Sequence, residues 1–192
     1  MSLVQVVLTD EFVLVGAEKH GENKDVVKED VNKLIKVNKN IIFGCTGGVI
    51  DNYRLFYGFC SYSDDFGLIK LDEDVDVAYN DFVDMITERF YIMKDVHNDP
   101  NDHRQFEIQS VVCGFNGYEF EMVVFDLTPT TPVENQKVVK IKKAMDFPYK
   151  GMTAGNPIHL NNLENLVNLR RPSTLLQYKN IMKDVFEMGI KF

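Results

Sequence analysis

At 192 residues, with 45% hydrophobic and 26% charged residues, the chain carries enough apolar mass for one globular domain spanning 1–192, and disorder does not fit. A formal net charge of −8 argues against nucleic acid or an anionic membrane as a partner, because Lys and Arg on phosphate dominate such contacts. Cys45, Cys60 and Cys113 form an odd, widely spaced set among Ile, Phe and Val, which points to reduced, mostly buried thiols and a cytoplasmic location.

The first apolar run, LVQVVL, is too short and too soon interrupted by Asp10 for a signal peptide, and no stretch approaches a membrane span. Leu3 to Leu8 and Phe12 to Ala17 read instead as a hairpin about Thr9-Asp10-Glu11. Lys19 to Asp30 is polar and charged. Leu34 to Val37 and Ile41 to Cys45 form a second strand pair, turning at Asn38-Lys39-Asn40. Asp51 suits a helix N-cap, and Leu55, Phe56, Phe59 and Cys60 repeat at helical spacing up to Tyr62. Past the acidic connector LDEDVD, the spacing predicts a helix from Tyr79 to Val96, with Phe82, Met85, Ile86, Phe90 and Met93 on one face.

His97 to Arg104, with Asn-Asp-Pro, reads as a loop. FEIQSVVCGF and YEFEMVVFDL then read as two strands about Asn116-Gly117, a strong hairpin signal. A further strand, Lys137 to Met145, leads to a small-residue corner over Tyr149 to Asn156. Helical patterns return from Leu160 to Leu169, and from Ser173, an N-cap after Pro172, to Met188. Strands and helices in blocks rather than alternation indicate α+β with antiparallel sheets covered by helices.

The pair Gly47-Gly48 between strand and helix permits positive φ and close backbone approach, as a phosphate site, an oxyanion site or a tight corner requires. A phosphate loop needs Lys and a hydroxyl directly after its glycines, whereas Val49, Ile50 and Asp51 follow here. His20, His97, His103 and His159 are scattered, so no metal or cofactor is expected, and His97 and His103 are read as solvated. Cys45 ends an apolar strand without a local histidine and is read as a structural thiol.

In the order of SLVQVVLTDEFVLVGAE, VNKLIKV and NIIFGCTGGVID, and more faintly in SVVCGF and GMTAGN, the chain resembles the proteasome β-type subunits and their bacterial two-component relatives among the N-terminal-nucleophile (Ntn) hydrolases. The resemblance covers most of the chain loosely and the first fifty or so residues well. It implies a four-layer αββα sandwich: two antiparallel sheets stacked face to face, with helices on both outer faces. In that family the first residue supplies a hydroxyl nucleophile and its own α-amine as base, which titrates near 8. Ser2 matches that position once Met1 is removed, Lys33 matches the lysine that lowers the nucleophile's pKa, Glu18 matches its acidic partner, and Gly47 matches the N–H donor to the oxyanion.

Other positions depart from the family pattern. Thr153-Ala154-Gly155 stands where the family has Gly-Ser-Gly, so the supporting hydroxyl falls on Ala154 and is absent. The sequence ends at Gly189-Ile190-Lys191-Phe192, which leaves the family's supporting aspartate without a match, and with no propeptide only methionine removal is expected to expose Ser2. The expectation is therefore a diverged relative with an incomplete hydrolytic site, acting through its surface or as a homo-oligomer. The alternative is an active N-terminal-serine peptidase or amidohydrolase on peptide or amide substrates. A third possibility is a small-molecule binding module using the cleft between the sheets.

Overall fold

Strand β1 (Val4–Leu8) has neighbours on both edges and is buried at every position because both its faces are covered, Val7 on one and Val4, Val6 and Leu8 on the other. On one side it pairs antiparallel with β2 (Val13–Ala17), Leu8 opposite Val13 and Val4 opposite Ala17. The turn between them is tied by Thr9, whose Oγ1 accepts the Phe12 N–H at 3.0 Å. On the other side lies β10 (Lys150–Ala154), with Val4 opposite Ala154. This corrects the expectation of a corner over Tyr149 to Asn156: residues 150–154 form a strand, because β1 offers them a ladder that their own Gly and small side chains do not signal. The chain is described here from a computed structural model, which covers residues 3–18, 20–23, 26–29, 33–58, 76–142, 150–154 and 158–189. Ser2, Phe59, Cys60, Tyr62 and Met145 lie outside these residues.

The polar stretch after β2 contains a small antiparallel pair, β3 (His20–Asn23) and β4 (Val26–Glu29), which periodicity did not predict. Strands β5 (Leu34–Asn38), β6 (Ile41–Gly47), β7 (Ile108–Phe115), β8 (Phe120–Leu127) and β9 (Lys137–Lys142) form a five-stranded antiparallel sheet in that order. The expected turn at Asn116-Gly117 is a four-residue one: Asn116 Oδ1 accepts the N–H groups of Tyr118 and Glu119, both at 3.0 Å, and Gly117 takes φ +101°. The outer strand β9 carries Lys137, Lys140 and Lys142, all exposed, which discourages further strand addition.

Among the described residues four α-helices complete the α+β fold: α1 (Val49–Tyr57), α2 (Tyr79–Asn98), α3 (Ile158–Arg170) and α4 (Leu175–Gly189). Helix α2 buries Tyr79, Phe82, Val83, Ile86, Phe90 and Met93, the stripe that a 3.6-residue period demands. Two helix starts differ from expectation by short-range chemistry. Gly48, not Asp51, is the α1 N-cap, and Asp51 sits in the first turn, where its carboxylate favours the helix dipole. Thr174 rather than Ser173 caps α4, since its Oγ1 accepts the Gln177 N–H at 3.4 Å while Gln177 Oε1 accepts the Thr174 N–H at 3.2 Å, a capping box.

Among the described residues three apolar clusters hold these elements. Phe43, Cys45, Ile108, Val112, Val123 and Phe125 of the large sheet pack against Leu55 and Phe56 of α1 and Phe82, Ile86 and Phe90 of α2. Val7 of β1 packs with Leu163 and Val167 of α3 and Tyr178, Ile181 and Val185 of α4. Between the sheets, Val4, Val6 and Leu8 meet Val111, Cys113 and Met122. Gly44 of β6 has no side chain at this interface, and a Cβ there would lie 3.3 Å from Val4 Cγ1, so the start of β1 comes down onto β6.

Candidate functional site

The start of β1 is where the two sheets are joined by charge. Glu18 follows β2 and extends the hairpin by one rung, its N–H donating to the Leu3 carbonyl at 3.1 Å. Lys33 precedes β5 and extends that ladder likewise, its carbonyl accepting the Cys45 N–H at 2.9 Å. The Lys33 Nζ then reaches Glu18 Oε1 at 3.2 Å, with side-chain exposures of 1% and 20% respectively. A lysine so deeply covered is uncommon, because an ammonium leaves water only for strong compensation. Cys45 is buried beside it, and burial pushes its thiol up to about 12 while the Lys33 charge pulls the other way. The thiol stays protonated and inert, in keeping with a structural role.

Gly47 lies two residues beyond Cys45 at the end of β6 and takes φ +74°, which an L side chain adopts only with strain. Gly48 takes an ordinary φ of −65°, yet a Cβ on it would stand 2.9 Å from the Glu107 carbonyl oxygen. The two glycines therefore serve separate needs, one conformational and one steric. A Cβ on Gly47 would in turn meet Glu107 Oε1 at 3.1 Å, so the Glu107 side chain lies against the Cα of that glycine.

Of the four residues predicted from sequence, Glu18 and Lys33 are in contact, and Gly47 sits farther along the strand that pairs with Lys33. Ser2 precedes Leu3, which is 2% exposed, but itself lies outside the described residues. Ala154 stands opposite Val4 in the register. Sequence reasoning missed the groups that clamp the glycine corner to the start of β7. Asn52, fully buried, directs Nδ2 at the carbonyls of Thr46 and Gly48, at 2.7 and 2.8 Å. Asp51 Oδ2 accepts the Glu107 N–H at 3.0 Å, and Asp51 Oδ1 pairs with Arg54 at 3.2 Å.

His97 is not the solvated loop residue expected. It stands in the last turn of α2, and its Nδ1 accepts the Phe106 N–H at 2.9 Å, with burial lowering its pKa and the nearby Asp51 carboxylate opposing. Only the Asn-Asp-Pro after it was visible to local pattern.

Among the described residues no group of three or more His, Cys, Asp and Glu could hold a metal, and no helix is long and apolar enough to cross a membrane. No protein-family model matches the chain, and no curated protein matches it significantly.

Proposed function

We propose that the chain is a diverged proteasome-like relative of the N-terminal-nucleophile hydrolases, a four-layer αββα sandwich whose hydrolytic site is incomplete. The observation that carries this is the Lys33–Glu18 pair, a nearly inaccessible ammonium held 3.2 Å from its carboxylate at the start of β1. The three apolar clusters, one between the sheets and one under each helix pair, support the layer order. Incompleteness is supported by two features. Ala154, opposite Val4, brings no hydroxyl to the site. The Glu107 carboxylate, 3.1 Å from where a Cβ on Gly47 would stand, adds negative charge at the corner. The protein then acts in the cytoplasm through its surface or as a homo-oligomer, for which the resemblance to ring-forming relatives is the sole warrant.

A second function, amide or peptide hydrolysis by Ser2, draws support from the same buried lysine, because an exposed ion pair would serve equally well if stability alone were at stake. The Ser2 hydroxyl would attack the substrate carbonyl while the α-amine takes its proton and passes it to the leaving amine. Water would then hydrolyse the resulting ester. Lys33 would keep the amine neutral and favour the alkoxide, and Glu18 would hold Lys33 in place.

Intact-mass analysis of native protein, followed by a panel of peptide amides, decides between the two. An inert protein, or one whose slow turnover persists in Ser2→Ala, supports the incomplete site. Turnover with Met1 removed and abolished by Ser2→Ala establishes the hydrolase.

A further inference from the structure

Asn52 commits both its amide hydrogens and its carbonyl oxygen around the glycine corner. It is fully buried, and the carbonyls of Thr46, Gly48 and Glu107 lie 2.7, 2.8 and 3.3 Å from its Nδ2, sharing two hydrogens. Its Oδ1 accepts the hydroxyl of Ser110, itself buried on β7. The Thr46 carbonyl belongs to the peptide whose other end is the Gly47 N–H. A trans peptide is planar, with C=O and N–H pointing in opposite directions, so fixing one fixes the other. Asn52 stands on α1, and α1 packs on the face of the large sheet opposite to the one β1 covers.

We infer that Asn52 is a positioning residue: by holding the Thr46 carbonyl on the β7 side, beside the Glu107 carbonyl, it directs the Gly47 N–H to the opposite edge of β6, the edge on which the Cys45 N–H meets the Lys33 carbonyl. The Thr46 side chain is fixed separately, its hydroxyl donating to Gln109 Oε1 of β7 at 3.1 Å. Gly47 is the last rung of the β6–β7 ladder, opposite Ile108, and its φ of +74° is where the chain leaves that ladder for α1. Ordinary helix capping does not account for the arrangement, since the α1 N-cap is a glycine with no side chain to contribute and Asn52 reaches back beyond it. This role gains its chemical meaning from Gly47 as an anion donor and in that respect rests on the proposed function.

The orientation itself is measurable without turnover. In 15N-labelled full-length protein, residual dipolar couplings report the direction of each N–H. Asn52→Asp replaces the donor with an acceptor facing three carbonyls, and is expected to tilt the Gly47 vector while leaving Gly117, in the distant β7–β8 turn, unchanged. Ser110→Ala removes only the bond to Oδ1 and is expected to leave Gly47 as it was. An unchanged Gly47 vector in folded Asn52→Asp would overturn the inference. Should that variant fail to fold, the wild-type carboxamide protons of Asn52 decide: strong protection from solvent exchange supports the role, and exchange at the rate of an exposed amide refutes it. A peptide boronate that bonds to Ser2, followed by intact mass, reports separately on the hydrolytic site. Adduct formation about tenfold or more slower in Asn52→Asp supports the aiming role. Absence of adduct in wild type counts against the Ser2 hydrolase alone, while the vector measurement still decides the role of Asn52.

Discussion

Lys33 Nζ stands 3.2 Å from Glu18 Oε1, and the two partners are unequally exposed, at 1% and 20%. That inequality makes the pair's two halves non-equivalent to mutation. Glu18→Ala deprives a covered ammonium of its carboxylate and is expected to destabilise the fold by about 3 kcal/mol, the lower end of the range for a broken buried pair. Lys33→Met keeps most of the side-chain volume and leaves a carboxylate that can turn to water, so its loss should be clearly smaller. Urea midpoints of the two variants test the order, and equal losses would contradict the burial argument.

The two adjacent glycines should respond to alanine for different reasons. Gly47→Ala forces an L residue to φ +74°, a strain of about 1–2 kcal/mol, and its nearest new contacts are with the flexible Glu107 side chain. Gly48→Ala carries no such strain but sets a methyl 2.9 Å from a backbone oxygen, an overpacking of about 1–3 kcal/mol that moves β7 or α1. Adding Glu107→Ala should restore part of the Gly47→Ala loss and little of the Gly48→Ala loss. Denaturant titration of the four variants checks this.

Stability is expected to fall in mild acid through His97. Its folded pKa is lowered by burial, and its Nδ1 must be unprotonated to accept the Phe106 N–H. The unfolded chain binds the proton at the ordinary value near 6.5, so the contribution is complete above that pH and declines as pH falls from there toward the lowered folded value. His97→Gln should flatten the stability profile between pH 7 and 5, read from urea midpoints at each pH. An unaltered slope would remove His97 as the cause.

Cys45 and Cys113 are buried and unpaired, and burial raises both thiols, Cys45 to about 12. Neither should react with iodoacetamide at pH 8 in the native protein, and both should react after unfolding. Peptide mapping by mass identifies the modified positions. Rapid native labelling at Cys45 would reverse its assignment as a structural thiol.

Much of the fold was legible from local pattern. The β1–β2 and β5–β6 hairpins and the α2 stripe announced themselves through period and turn residues, since the information lies within a few residues of where it acts. Where the ladder partner is distant, pattern failed: the small residues of 150–154 read as a corner until β1 took them as an edge strand. The pair HGEN and VVKE was missed because strands of four residues are too short to show an alternating pattern. The cap of α1 was misread because Asp51, a good cap by type, is used on Glu107 N–H fifty-six positions away.

The sequence alone determined the α+β class, the hairpin that opens the chain and the residue types available to a site: a lysine, a glutamate and a glycine pair at suggestive spacing. Only the tertiary structure decided that Lys33 is covered, that Glu18 meets it, and that Asn52 holds the Thr46 carbonyl. The reason is that side-chain type and turn chemistry act over a few bonds, whereas burial and pairing arise when strands far apart in the chain bring their ends together.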